Sequence, residues 1–104
     1  MNLRELARGK PCMIRAPLIC NGDVSTTVLA HVRMVGISAM AMKAPDFFGA
    51  WGCSACHDYV DGRLPTMDSY EKRRLVHIEG TLRTQHEVLL LGYLSEAERV
   101  TSDG

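Results

Sequence analysis

The chain has 104 residues, with 12 basic and 12 acidic side chains and a formal net charge of zero. Hydrophobic residues make up 46% of it, and no apolar run approaches the roughly 20 residues that a transmembrane helix needs. This composition indicates one globular domain over residues 1–104 and excludes an integral membrane protein. Zero net charge argues neither for nor against binding of nucleic acid, because phosphate binding depends on where the basic residues cluster.

The first ten residues are polar and mixed in charge, without an apolar signal segment. We therefore expect a cytoplasmic protein. Thiols stay reduced in that compartment, so the four cysteines are not expected to form disulfides. A chain this short gains limited stability from its core, and a metal site would help to hold it together.

The first half of the chain predicts little regular structure. Residues 3–8 form a short helix candidate that ends at Gly9, and the NGD sequence at 21–23 is a turn signal. Residues 27–33 (TVLAHVR) are rich in β-branched and apolar side chains and predict a strand. Residues 34–50 read as an irregular loop or wide hairpin.

The second half is predicted to be helical. A short helix over 56–61 stops near Gly62, and Asp68 or Ser69 suits the N-cap of a long helix that reaches about Leu94. One face of this helix is expected to be apolar, with Gly80 as a weak point. The expected core positions are Leu75, Val76, Ile78, Leu82, Leu89 and Leu90. The fold class is therefore α+β, with a long C-terminal helix.

The sequence CSACH at 53–57 is the main chemical motif. Read literally, it matches the c-type haem attachment sequence, but haem attachment belongs to exported chains and leaves Cys12 and Cys20 unexplained. A thioredoxin-like redox pair needs a βαβ unit, and the sequence does not predict one. A zinc site formed by Cys12, Cys20, Cys53 and Cys56 accounts for all four cysteines.

The alternative for Cys12 and Cys20 is that they are small buried residues, as free cysteines often are. His57 directly follows a zinc ligand, and neighbouring side chains on a helix diverge by about 100°. It therefore either points to a second site or is an ordinary histidine at a helix start. His31, in the middle of the predicted strand, reads by itself as a core or surface histidine.

A strand histidine followed by a loop and a Cys-x-x-Cys-His helix start resembles the HNH, or ββα-metal, nucleases with a zinc knuckle. More closely, the chain is similar to the YbcO family, small proteins described as nucleases of lambdoid phages and prophages. The resemblance covers roughly residues 3–92. It rests on ARGKPC at 7–12, CNG at 20–22, LAHVR at 29–33, PD at 45–46, CSACHD at 53–58, and EG at 79–80 through RTQ at 83–85.

The resemblance implies a metal-dependent endonuclease acting on DNA in a bacterial or phage-infected cell. By analogy His31 is the general base, and His57 holds a catalytic divalent metal, magnesium or manganese or else zinc. Asp46 is the residue nearest in sequence to the position of the middle asparagine of the HNH motif. Many HNH sites have an acidic ligand before the base, but here that position is Ala30, so Asp46 or Asp58 and waters would complete the metal shell.

Arg33, Lys43 and Arg15 are the expected DNA contacts, Arg33 because it shares a strand face with His31. His77 and His86 are expected to be structural or exposed. Phage recombination proteins are expected partners, and the sequence does not give the oligomeric state. A non-catalytic zinc module that binds DNA or protein remains the alternative function.

Overall fold

The computed structural model describes residues 2–34 and 45–92. These residues form a two-stranded antiparallel sheet and three helices. In chain order the elements are α1 (Leu3–Leu6), a 3-10 turn (Val24–Thr26), β1 (Val28–His31), a second 3-10 turn (Asp46–Phe48), β2 (Gly49–Gly52), α2 (Ser54–Val60) and α3 (Tyr70–Leu90). The fold is therefore α+β with a long C-terminal helix, as the sequence predicts. None of the described helices is long and apolar enough to cross a membrane.

Each helix begins at a side chain that accepts backbone N–H groups. Asn2 accepts from the first turn of α1, the Cys53 thiol from that of α2, and the Ser69 hydroxyl from that of α3. Such caps satisfy donors that have no partner inside the helix. Ser69 is one of the two caps predicted for the long helix, whereas α1 ends two residues earlier than predicted.

Strand β2 is not specified by the sequence prediction, which gives residues 34–50 as an irregular loop or a wide hairpin. Its sequence, GAWG, lacks the β-branched residues that mark strands. It pairs with β1 in a register that runs from Val28 opposite Gly52 to His31 opposite Gly49. A Cβ atom at Gly52 would lie 2.5 Å from Cδ1 of Ile14, so close packing requires glycine at this position. Residues 35–44, where Lys43 is located, are outside the described residues.

The predicted apolar face of α3 is largely wrong, although Val76 does pack against the core. Leu75, Leu82 and Leu90 are 57%, 60% and 67% exposed, and Leu89 is also exposed. The buried positions are instead His77, Gly80, Thr81, Thr84 and Val88.

Helix α3 buries polar side chains because it covers the free backbone groups of a sheet that has only two strands. The Trp51 N–H donates to the Thr84 hydroxyl at 2.9 Å. The Arg83 guanidinium donates to the carbonyl oxygens of Met13 and Ile14 at 2.8 and 3.1 Å. A buried backbone group without a partner is costly, so these hydrogen bonds decide which face of the helix turns inward.

The core lies on both sides of the sheet. One cluster contains Ile14, Tyr59 and three of the cysteines, and the other is centred on Trp51 and Val88. The Tyr59 hydroxyl donates to Asp68 at 2.6 Å and so ties α2 to the turn before α3. Burial raises the pKa of Tyr59 to about 12, and this hydrogen bond lowers the pKa of Asp68.

Candidate metal cluster and basic cleft

The four cysteines converge at the start of α2. Their Sγ atoms all lie within 4.8 Å of one another, and those of Cys20 and Cys53 are 3.9 Å apart. Four thiolates at 2.3 Å around a tetrahedral zinc ion would be separated by about 3.8 Å. The cluster can therefore hold a metal ion, and its ligand set is consistent with zinc.

The chain segment around Cys12 and Cys20 is shaped to present these side chains. Backbone groups of Arg15, Ala16 and Gly22 hydrogen-bond to the thiols of Cys12, Cys56 and Cys20, respectively. Arg15 and Leu18 have positive φ angles of 53° and 65°. Non-glycine residues rarely adopt this conformation, so the surrounding contacts must hold it in place.

The thiols are not equivalent. A hydrogen bond with the Cys56 thiol lowers the pKa of Cys12 to about 4, and the same interaction raises the pKa of Cys56. Burial raises the pKa of Cys20. One thiolate therefore forms readily in the cluster, whereas a second and third negative charge need a cation between them.

On the other side of α2 lies a cleft of about 280 Å³ with a basic wall. Its lining residues are His31, Arg33, Val60, Asp61, Arg63, Tyr70, Arg73, Arg74 and His77. Four arginines thus surround a single carboxylate, although the whole chain is neutral. Arginine is well suited to bind phosphate oxygens because its planar guanidinium presents several donors.

His31 is held in a defined orientation at the edge of this cleft. Its Nε2 lies 2.7 Å from Oδ1 of Asp46, which also accepts from Nε of Arg4 at 3.2 Å. The hydrogen bond to His31 lowers the pKa of Asp46, so this carboxylate is ionised at neutral pH and can only accept. Nε2 of a neutral His31 therefore carries the proton, and the lone pair is on Nδ1.

His57 does not line the cleft itself but contacts a residue that does. Its Nε2 lies 3.2 Å from Oδ2 of Asp61, one helical turn later on α2. The Arg63 guanidinium bridges Asp61 and Asp58 at 3.2 and 3.0 Å. Arg63 thus engages both carboxylates, and Asp61 is the one that also contacts His57.

His77 forms the buried part of the cleft wall. Its Nε2 donates to the Ala30 carbonyl at 2.8 Å, because that oxygen can only accept. Burial lowers its pKa, so His77 is neutral at physiological pH. Its ring thus links α3 to β1 directly beside His31.

Of the predicted DNA contacts, Arg33 lines the cleft and Arg15 does not. Arg15 donates to the Cys12 carbonyl at 3.4 Å and lies against Met13 beside the cysteine cluster. Its contact with DNA stays a prediction, as does that of Lys43.

The sequence prediction missed Asp61 and Arg63 as cleft residues. It treats residues 71–74, which include Arg73 and Arg74, mainly as a solvated helix start, with a DNA-backbone contact as the lesser alternative. Asp61 could have been found from its position four residues after the candidate His57, because residues four apart share a helix face. The arginines gave only a weak signal, because charged side chains on a surface are usually just solvated.

These features define a small α+β protein in which four cysteines that can hold a metal ion lie next to a basic cleft that contains histidines. A family profile described as "Putative nuclease YbcO" matches residues 1–93. Relatives with that name from Escherichia coli K12 and from Enterobacteria phage 82 are each 42% identical over 84 residues, covering 81% of this chain and 86% of the relative. The chain therefore belongs to the YbcO family.

A solved structure has a similar fold. It is titled "Structure of a putative bacteriophage protein from Escherichia coli str. K-12 substr. MG1655". The two chains superpose with a TM-score of 0.72 and 36% sequence identity, over 88% of this chain and all of that one.

Proposed function

We propose that this protein is a metal-dependent DNA endonuclease of the HNH type, with residues 1–104 as its single domain. The observation that carries the proposal is the basic cleft in which an oriented histidine, His31, faces four arginines. The names of the relatives support a nuclease, and their bacterial and phage origin supports a role on phage or prophage DNA.

The order of elements supports the HNH type. Antiparallel strands β1 and β2 are followed directly by α2, which gives a ββα unit. His31 ends the first strand and His57 is the middle residue of the helix. The two histidines of the motif thus flank one region, where Asp61 connects His57 to the cleft.

His31 acts as the general base. Asp46 fixes its Nε2 proton, so Nδ1 takes the proton of a water molecule as the water oxygen attacks phosphorus. The bond from phosphorus to the leaving oxygen breaks as the new bond forms. The guanidinium groups of Arg33, Arg73 and Arg74 balance the phosphate charge. The Arg73 Nε is a buried donor without a partner in the described residues, and a phosphate oxygen would satisfy it.

His57 and Asp61 are the residues that fit a catalytic divalent ion. An imidazole nitrogen and a carboxylate oxygen 3.2 Å apart on one face of α2 are suitable ligands, with waters in the remaining positions. When bound, magnesium or manganese would stabilise charge on the scissile phosphate and the leaving oxygen. In this proposal Asp61 supplies the acidic ligand that Ala30 cannot. The four cysteines hold a separate structural zinc.

The test is cleavage of plasmid and branched DNA in the presence of magnesium or manganese. We expect His31→Ala to reduce the cleavage rate by about 10²–10⁴-fold while DNA binding is retained. Met67→Ala, at a fully exposed position outside the cleft, is the matched control and should cleave normally. DNA binding by the wild type without cleavage under any metal would refute the enzyme and favour a non-catalytic zinc module.

DNA binding can be tested apart from cleavage. Replacement of Arg73 and Arg74 by Gln should weaken binding at every DNA sequence and reduce its salt dependence, because each lost phosphate contact releases one counterion fewer. An unchanged salt dependence would place the DNA elsewhere on the protein.

A further inference from the structure

The side of α3 opposite the sheet carries a row of exposed leucines. Leu75, Leu82 and Leu89 are 57%, 60% and 41% exposed, and Leu90 beside them is 67% exposed. Large apolar side chains scattered singly on a surface are normal, but a contiguous row marks a contact surface. None of these leucines lines the cleft.

The spacing of the row indicates what covers it. Leu75, Leu82 and Leu89 are each seven residues apart. Seven is the repeat at which two helices stay in contact along a left-handed supercoil. The 21 residues of α3 are enough for three such layers. The row therefore fits a second helix that lies along α3.

The charges on this face favour α3 of a second copy. Glu79 and His86 lie between the leucines, and within the described residues neither side chain has a hydrogen-bond or ion-pair partner. If two α3 helices pair antiparallel about Leu82, Leu82 meets its own copy and Leu75 meets Leu89. Glu79 then lies opposite His86 of the second copy, and the reverse contact repeats on the other side of the two-fold axis.

The shape of the surface agrees with this pairing. A groove of about 460 Å³ runs beside the row, with Met13, Leu82 and His86 among its lining residues. A leucine of the second copy can enter this groove as a knob enters a hole. The formal net charge of zero also means that two copies do not repel each other strongly.

We propose that the protein is an antiparallel homodimer through the exposed face of α3, with Leu82 on the two-fold axis and reciprocal Glu79–His86 pairs. The cleft residues are not part of this interface. Each copy therefore keeps an open basic cleft, and the dimer would present two of them to DNA.

The test is the molar mass of the zinc-loaded full chain, measured by sedimentation equilibrium over a hundredfold concentration range without DNA. The wild type should approach twice the monomer mass. Leu82→Glu should be monomeric, because two carboxylates would meet on the axis. Met67→Glu adds the same charge at a fully exposed site away from α3 and should remain dimeric. A wild type that stays monomeric, or a dimeric Leu82→Glu, overturns the proposal.

Charge reversal tests the pairing itself. Glu79→Lys places a cation opposite His86 of the second copy, and His86→Glu places two acids opposite each other, so each variant should weaken the dimer at least several-fold. The double variant restores opposite charges and should recover most of the wild-type association. Failure of this rescue overturns the antiparallel register. Circular dichroism and zinc content show whether each variant is folded, and neither measurement depends on nuclease activity.

Discussion

Helix α2 separates two regions with opposite chemistry. At its start Cys53 and Cys56 complete a buried cluster of thiols, whereas at its end Asp61, which contacts His57, lines an open cleft with four arginines. The cluster is anionic when it binds metal, and the cleft is cationic. One short helix thus connects a site that suits a cation to a site whose charge suits an anion.

The two regions also differ in how their side chains are held. Cys53 and Cys56 are fully buried, and their neighbours are fixed by backbone hydrogen bonds. The cleft side chains are partly exposed and are oriented by side-chain ion pairs, such as those of Asp46 and Arg63. We therefore expect changes in the cluster to act on folding and changes in the cleft to act on chemistry.

The largest expected effect is in the cluster. Structural zinc contributes about 10 kcal/mol or more to the folding of small zinc domains, which is comparable with the whole stability of a small protein. Cys56→Ser should therefore yield a metal-free chain that is largely unfolded, as measured by zinc content and circular dichroism. Ser54→Ala, two residues away and exposed, should keep both the metal and the fold. A folded, metal-free Cys56→Ser protein would contradict a structural role.

In the cleft, Asp46→Asn should reduce activity without unfolding the protein. An amide can donate to His31 Nε2 and so favour the tautomer in which the lone pair is no longer on Nδ1. We expect kcat to fall by about 10²-fold or more with little change in KM or melting temperature, since the loss concerns the general base. Arg4→Gln removes the other partner of the same carboxylate and should have a much smaller effect. Equal losses in both variants would point to local charge rather than to the orientation of His31.

The cluster could be predicted from sequence better than the cleft. Four cysteines with a Cys-x-x-Cys pair have few stable uses in a reducing compartment, so their convergence follows from residue type. The cleft brings together β1, the end of α2 and the first turns of α3, which are up to 43 positions apart between His31 and Arg74. No local sequence pattern predicts that these three elements contact one another.

The face of α3 was mispredicted for a related reason. Hydrophobic periodicity assumes that the core side of a helix is the apolar side. Here the helix packs on backbone groups of β2 and of residues 13–14, so Thr84 and Arg83 turn inward as hydrogen-bond partners. The leucines consequently remain exposed on the outer side. The periodic leucines do lie on one face of α3, but that face is turned away from the core, where we propose that it contacts a second copy.

Gly80→Ala tests this packing of α3 directly. An added Cβ would lie 2.8 Å from the Cα atom of Ile14 and 3.0 Å from the Met13 carbonyl oxygen, and neither backbone atom can rotate away. Overpacking of this kind costs about 1–3 kcal/mol, against a gain of about 1 kcal/mol in helix propensity. We expect a net loss of stability in urea unfolding. Stabilisation would show that the helix can move away from residues 13–14.

The smallest expected effect is a pH dependence of stability from His77. Burial lowers its pKa below the 6.5 of an unfolded chain, so below that pH the unfolded state binds this proton more readily than the folded state does. The contribution of His77 is therefore fully present above about pH 6.5 and is lost as pH falls towards the folded pKa.

His77→Gln should flatten this part of the stability profile, because the amide can still donate to the Ala30 carbonyl but does not titrate. Asp61, His57 and Arg74 act on His77 through their charges, and all three are retained in the variant. The measurement is urea unfolding in excess zinc on both sides of pH 6.5. Identical profiles for His77→Gln and the wild type would mean that the pKa of His77 is the same in the folded and unfolded chains, and would contradict the shift that burial is expected to cause.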